Sequence, residues 1–306
     1  MRYHGRMTRL SWLGLGFSIL ALGFGCSAAA DSGFSSGTGD TTSGTTSGSG
    51  GSGGDIFTST TTGFGGFGVG GFGSQASGCT SDLQKTVDAD GNVVTVCPPD
   101  KGCFEGKCIE ACEAAAKSQG SIGCDYLAPT PAFYQNDNPS APYTGACHAV
   151  FVANTWGRPA KLLVKYDGAT KDVTQFGRIP AGGPKNIQYQ PVPATGLPPG
   201  EVAVLFLSHK PGANHPIGAS LECPAPPAVL LDTAAHNSAR GKAFEVTSDT
   251  PITAYDIMPF GGARSYLPSA SLLYPRTAWG TNYVAVSTHT SSSGKAWVLL
   301  VGAADN

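Results

Sequence analysis

The stretch CTSDLQKTVDADGNVVTVCPPDKGCFEGKCIEACEAAAKSQGSIGC, residues 79–124, concentrates the sulfur of the chain. Six of the nine cysteines of the 306-residue sequence fall in it, and Cys147 follows shortly after. A segment this short buries too little apolar surface to fold unaided, and disulfides commonly supply the missing stability. The stretch therefore predicts a small disulfide-rich module.

Eight cysteines remain once Cys26 is set apart, and eight allow about a hundred pairings, so their spacing does not fix the connectivity. We expect a crossed, EGF-like arrangement followed by two further bridges, namely Cys79–Cys103, Cys97–Cys108, Cys112–Cys124 and Cys147–Cys223. Zinc is the alternative for Cys103, Cys108 and Cys112. The paired CxxC knuckles of structural zinc sites are missing, so we favour disulfides and no metal.

Two local patterns lie inside this module. Residues 86–87 and 93–96 are β-branched and flank Asp90-Gly91-Asn92, which predicts a hairpin with a tight turn. Residues 109–118 are rich in Ala and Glu, which predicts a short helix. The sequence DADGN at 88–92 lacks the glycine and glutamate spacing of a calcium-binding EF-hand loop, so we interpret it as a turn.

Residues 125–306 have the pattern of short strands separated by Gly, Pro, Asn and Ser. The predicted strands are HAVFVAN (148–154), KLLVKY (161–166), KNIQYQPV (185–192), EVAVLFLS (201–208), PAVLLD (227–232), KAFEVTS (242–248), PITAYDIMP (251–259), NYVAVST (282–288) and AWVLLVGA (296–303). No strand–helix alternation is visible, which argues against a parallel α/β domain. We expect an all-β fold, an antiparallel β-sandwich-like domain.

Several stretches of this region resemble the N-terminal domain family of IgGFc-binding proteins, in particular its bacterial lipoprotein branch. They are SIGCDYLA (121–128), FVANTWGRPAKLLV (151–164), SDTPITAYDIMPF (248–260), SASLLYP (269–275) and WGTNYVAVS (279–287). The resemblance covers Cys79 to Asn306 and implies a secreted or surface binding and adhesion protein. It implies no catalytic residue, and the antibody-Fc binding of the mammalian namesake does not carry over. In family members, further strands follow the segment that matches AWVLLVGAADN. The resemblance therefore implies that residues 125–306 form an incomplete domain of this family.

Residues 1–25 have the pattern of a secretory signal peptide. Three arginines among the first nine residues form a basic start, and residues 10–25 are apolar or small, a run short for a membrane span. Cys26 stands where this run ends, so we predict cleavage before it and lipidation of its thiol. The alternative is cleavage after Ala30, which would give a soluble periplasmic or secreted protein.

Residues 26–78 form the predicted tether, a disordered linker made largely of Gly, Ser and Thr. Such a composition cannot bury enough apolar surface to offset its chain entropy. As a random coil, the part from Asp31 to Gly78 would have a root-mean-square span of roughly 35–40 Å. It contains no Lys or Arg, which argues against binding to nucleic acid.

Neither the charge balance nor the histidines indicate a nucleic-acid partner, a metal site or a catalytic site. Without the signal peptide, 16 basic residues face 21 acidic ones, and no basic patch suggests nucleic acid as a partner. His209 and His215 flank a Pro-Gly turn, which predicts an exposed loop and not a metal site. Asp256 is predicted to face outward from an alternating strand. No motif of a hydrolase, metalloprotease or nucleotide-binding enzyme occurs.

We therefore expect an exported lipoprotein of the outer membrane or cell surface, without cofactor or enzymatic activity. Its β-rich domain would bind a protein or glycan ligand. The alternatives are a secreted hydrolase or carbohydrate-active domain, which requires paired carboxylates in a cleft, and a structural envelope protein without soluble ligand. The aromatic candidates for an exposed ligand surface are Tyr126, Tyr134, Trp156, Tyr166 and Trp279.

Overall fold

The computed structural model describes residues 78–132, 144–183, 185–213, 220–261, 269–285 and 298–303. The structural statements below concern these ranges. The predicted signal peptide, the lipidation site Cys26 and the tether up to residue 77 lie outside the described residues.

The cysteine-rich module consists of two hairpins and a helix. Its elements are β1 (Lys85–Val87), β2 (Val93–Val96), β3 (Lys101–Phe104), β4 (Lys107–Glu110) and α1 (Ala111–Ser118). β1 pairs with β2 and β3 with β4, both antiparallel. The first hairpin and the helix form as predicted, except that Ile109 and Glu110 belong to β4, because they pair with β3.

The turn between β1 and β2 is closed by Asp88. Its carboxylate accepts hydrogen bonds from the backbone N–H of Asp90 at 3.0 Å and of Asn92 at 2.8 Å. The Asn92 side chain donates a third bond to it. Gly91 between them has φ +83°, a conformation that glycine adopts without steric cost. These acidic residues therefore form a turn, as the sequence indicated.

The β domain follows without a break. Its elements are β5 (Gly123–Pro129), β6 (His148–Ala153), β7 (Leu162–Tyr166), β8 (Ala169–Lys171), α2 (Val173–Phe176), β9 (Gly177–Ala181), β10 (Gln188–Pro191), β11 (Val202–Ser208), β12 (Ala243–Met258), β13 (Ser269–Leu273) and a 3-10 turn (Arg276–Ala278). The prediction of an antiparallel all-β fold is confirmed.

The long strand β12 belongs to both halves of one curled sheet. Residues 243–248 pair with β5 and β7, and β7 pairs with β8. Residues 253–257 pair with β6 and residues 254–258 with β13, and the sheet continues from β6 through β11 and β9 to β10. Pro251, which has no N–H to donate to a ladder, lies between these halves. The core fills the space between them.

Five of the nine strand predictions need correction. Residues 242–248 and 251–259 form the single strand β12, because pairing continues on both sides of Pro251. Residues 227–232 lie beside β11 but form only an isolated bridge at Val229, since Pro226 and Pro227 have no N–H to donate. The described parts of the predicted strands 282–288 and 296–303 contain no strand.

Disulfides join the eight described cysteines as Cys79–Cys103, Cys97–Cys108, Cys112–Cys124 and Cys147–Cys223. These are the pairs expected from the sequence. Their Cα–Cα distances of 5.6, 5.5, 5.7 and 4.8 Å lie within the range that a disulfide spans without backbone movement. The third bridge ties α1 to β5, and the fourth ties the start of β6 to the segment that follows β11.

Trp156 joins the module to the β domain. It lies in the loop after β6, is only 2% exposed, and packs with Leu83 and Ala115 of the module. Beside it, the Gln84 side-chain amide donates to the carbonyl oxygen of Thr155 at 3.0 Å. The module and the β domain therefore share apolar core around one tryptophan.

Candidate functional site

The larger half of the sheet has apolar side chains on both sides. In β6, Val150 and Val152 belong to the main core, whereas Ala149 and Phe151 belong to a separate cluster on the opposite side. We call this opposite side the aromatic face. It comprises Ala149, Phe151, Tyr189, Val204, Phe206, Tyr255, Ile257, Phe260 and Leu272.

Four aromatic rings contact one another on the aromatic face. The ring of Phe206 lies edge-on to the rings of Tyr189 and Phe260, with centroids 5.6 and 5.1 Å apart. Phe151 and Phe260 have centroids 6.1 Å apart with nearly parallel planes. Tyr255 lies directly opposite Phe151 in the ladder between β12 and β6. Because such ring pairs favour defined orientations, the four rings stabilise one another in this arrangement.

The aromatic face is only partly covered. Phe206 is fully buried, Tyr255 is 45% exposed and Val202 at its margin is 38% exposed. Phe151 and Phe260 are half-buried. An exposed aromatic side chain within an apolar sheet surface is typical of interaction sites.

The central strands of the aromatic face present no charged side chain. The outward positions of β6, β11, β13 and residues 253–257 of β12 are Ala, Phe, Val, Thr, Tyr, Ile and Leu. The first charge toward β9 is Arg178, opposite Val204. Its guanidinium donates to the backbone carbonyls of Thr174, Gln175 and Gly177, so it caps α2. A partner that carries many charges would lose their hydration here without compensation.

The disulfide Cys147–Cys223 supports this face. Cys147 is buried in its cluster, and Cys223 packs against it. The N–H of Phe260 donates to the carbonyl oxygen of Cys147 at 2.8 Å, and the N–H of Cys223 donates to His209 Nδ1 at 3.1 Å. The prediction that His209 is exposed is therefore wrong, because this bond draws the ring inside and leaves it 8% exposed. His215 lies outside the described residues.

The aromatic residues expected on the surface do not meet there. Tyr126 and Trp156 are 0% and 2% exposed, so their prediction as ligand contacts is wrong. The Tyr126 hydroxyl donates to the Ile252 carbonyl oxygen at 2.5 Å in the main core. Tyr166 and Trp279 are half-buried, and Tyr134 lies outside the described residues.

The residues of the aromatic face were missed, although the alternation of residues 252–259 contained the signal. Ile252, Ala254 and Met258 face the core, which places Tyr255 on the opposite side. Asp256 shares the core side and is only 5% exposed, so the prediction that it faces outward is wrong. Burial raises the pKa of its carboxyl group, and the N–H of Ser271 donates to this group at 3.0 Å.

His148, at the start of β6, belongs to a buried cluster of polar side chains. The Nδ1 atom of His148 is hydrogen-bonded to the Thr130 hydroxyl at 2.9 Å. The Thr233 hydroxyl in turn bonds to the hydroxyls of Thr130 at 2.6 Å and of Ser208 at 2.7 Å. All four side chains are buried, and His148 Nε2 has no hydrogen-bond partner among the described residues. Burial lowers the pKa of His148 to about 3. Because all of these side chains are buried and the imidazole is neutral, the hydrogen-bonded chain has a structural role.

We expect His148 to make the protein sensitive to acid. Its folded pKa of about 3 lies below its ordinary value of 6.5, so the stability from a neutral imidazole is complete above pH ~6.5 and is lost as pH falls toward 3. Between these values the loss is about 1.4 kcal/mol per pH unit. Urea unfolding at pH 7, 6 and 5 measures this slope, and His148→Asn should remove its contribution.

Asp256 supplies the control for this measurement. Because burial raises its pKa, its protonation on acidification has the opposite sign and stabilises the folded state. The slopes of His148→Asn should therefore be compared in an Asp256→Asn background. Equal pH slopes with and without His148 in that background would contradict the assignment of a buried neutral histidine.

The described residues contain no group of three or more His, Cys, Asp or Glu side chains that could hold a metal ion. In the same ranges, neither helix has the length and apolar composition of a transmembrane segment. No protein-family model matches the sequence, and neither a curated protein nor a solved structure matches it.

Proposed function

We propose that this chain is an exported, lipid-anchored surface protein that binds a protein partner through the aromatic face. The predicted signal peptide and Cys26 would attach it to the outer membrane, and the tether would let the β domain move tens of ångströms from its anchor. The resemblance to the bacterial lipoprotein branch of the IgGFc-binding family agrees with such a role.

The cysteines support export. All eight described cysteines are in disulfides, and such bonds persist in oxidising compartments outside the cytosol. With those eight paired, Cys26 is left as the ninth. Its position at the end of the apolar leader suits acylation, which needs a free thiol.

The observation that carries the binding function is the half-exposed Tyr255 on an uncharged face, opposite Phe151 and on the same side of the sheet as Phe206. The centres of protein–protein interfaces are rich in aromatic residues and poor in charged ones. Tyrosine is also among the residues that contribute most to binding. We therefore favour a protein partner over a glycan.

The burial of the ionisable side chains supports a binding role without catalysis. His148 and Asp256, whose pKa values are shifted by burial, lie on the core side of the strands and are nearly inaccessible. A hydrolase needs such groups to converge on an open cleft.

Replacing Tyr255 by alanine should weaken binding of the mature, full-length protein to envelopes from cells that lack it by about tenfold or more, since central interface tyrosines contribute on that scale. Tyr283→Ala is the matched control, because Tyr283 is 74% exposed and lies outside the strands of the aromatic face. Binding is measured by sedimentation of labelled protein with the envelopes.

Pretreatment of the envelopes identifies the partner. Digestion with proteinase K should abolish the binding that depends on Tyr255, whereas periodate oxidation of glycans should leave it unchanged. If binding were lost after periodate treatment but not after proteinase K, the partner would be a glycan and not a protein. Equal binding of the wild-type protein and the Tyr255→Ala variant would show that the aromatic face is not the binding surface.

A further inference from the structure

A groove of about 310 Å³ lies away from the aromatic face and shares no residue with it. One wall is the start of β7, the second is β8 with the beginning of α2, and the third is the segment that follows β10. Its volume is that of a site for a small molecule or one or two sugar residues. Leu162, Val192 and Pro193 give it apolar lining.

The third wall is held close to the first by a backbone bridge. The N–H of Ala160 donates to the carbonyl oxygen of Leu197 at 2.9 Å, and the reverse bond measures 2.8 Å. Gly196 allows this approach, because a Cβ there would lie 2.7 Å from the carbonyl oxygen of Ala160. The groove is therefore a fixed feature of the fold.

Two lysine residues line the groove and have no ion-pair partner among the described carboxylates. Lys161 and Lys171 belong to its walls, and no ion pair joins either of them to a described carboxylate. The lining holds two lysines and one carboxylate, Asp172, so its net charge is positive in a chain with more acidic than basic residues, and it attracts anions.

The acidic groups near the groove are engaged elsewhere. The carboxylate of Asp172 accepts from the N–H of Thr174 at 3.0 Å and from its hydroxyl at 2.8 Å, so it caps α2. These bonds lower the pKa of Asp172. The carboxylate of Asp249 accepts from the backbone N–H of Lys161 at 2.8 Å. Asp172 therefore remains an anion in the lining. Neither carboxylate forms an ion pair with Lys161 or Lys171 among the described residues, so both lysines can pair with a ligand.

We propose that this groove binds a carboxylate-bearing sugar, a hexuronic acid residue of an acidic polysaccharide. Its carboxylate would pair with Lys161 and Lys171, the hydroxyl of Thr170 would bond to ring hydroxyls, and the apolar lining would contact the C–H face of the ring. This ligand is independent of the partner bound at the aromatic face, and it would hold the exported protein in an acidic polysaccharide matrix.

The test uses the full-length protein and a trimer of galacturonic acid, with maltotriose as the neutral probe and inorganic phosphate as the simple anion. Isothermal titration calorimetry should detect the uronate and not maltotriose. The double variant Lys161→Gln/Lys171→Gln should weaken uronate binding at least fivefold, and the matched control Lys107→Gln/Lys185→Gln should not. Raising NaCl from 20 to 300 mM should also weaken it, because salt screens the ion pairs.

Three results would overturn this proposal. They are no uronate binding, equal affinity in the groove double variant, and phosphate binding as tight as the uronate, which would make the groove a simple anion site. Tyr255→Ala should retain uronate binding, so that failure at the groove and failure at the aromatic face are separate results.

Discussion

Replacing Trp156 by alanine will lower the free energy of unfolding by about 3–5 kcal/mol, the usual cost of truncating a buried tryptophan. The ring is 2% exposed and packs with Leu83 and Ala115 of the cysteine-rich module. It fits so closely that a Cβ added to Gly102 would lie 3.3 Å from it. Its removal leaves a cavity where the module meets the β domain. Urea unfolding followed by circular dichroism measures the loss.

The variant should also separate two unfolding steps, because little other apolar core would then join the module to the β domain. Trp279→Ala is the matched control. Trp279 is half-buried, and its indole N–H donates to the carbonyl oxygen of Tyr274, so its loss should cost less than half as much. A Trp156→Ala protein with the stability of the wild type would mean that the two parts do not share a core.

Removing the disulfide Cys147–Cys223 with a double serine substitution will cost about 4.5 kcal/mol, if the bond acts by constraining the unfolded chain. It closes a loop with a sequence separation of 76. The bridge Cys97–Cys108, with a separation of 11, should contribute only about 3 kcal/mol by the same reasoning. Both double variants are compared with the wild type by urea unfolding under non-reducing conditions.

The first of these variants should affect function as well as stability. Cys147 and Cys223 pack in the cluster that holds Phe206 and Phe260, so folded protein without this bridge should bind its partner more weakly. The Cys97→Ser/Cys108→Ser protein should bind normally once folded. An equal or larger loss of stability in that second variant would contradict the loop-length explanation.

The sequence contained enough information for the fold class because its signals are local. Cysteine density predicts the module, and the turn around Asp88 predicts its first hairpin, since both depend on residues close in the chain. The two predicted strands at 242–248 and 251–259 are one strand because Pro251 can lie within β12 without ending it. That continuity depends on pairing with four neighbouring strands, β5, β6, β7 and β13. The sequence of residues 242–259 does not contain this information.

The aromatic face was harder to predict because its strands are apolar on both sides. Alternation identifies the two sides of β6 but cannot say which one the core covers, and Phe151 and Val150 are equally apolar. Trp156 follows polar residues in a loop and is buried only by the distant module. Asp256 lies on the core side because Ile252 and Ala254 share that side, an arrangement that outweighs the charge of one residue.

Photo-cross-linking at Tyr255 tests most directly whether the aromatic face binds the partner. A benzophenone amino acid replaces Tyr255, or Tyr283 as the control, in full-length protein displayed on living cells. We predict a protease-sensitive adduct at position 255 that excess wild-type protein suppresses and Tyr255→Ala does not, with no adduct at 283. No adduct at 255, or an adduct of equal yield at 283, would contradict the proposed interface.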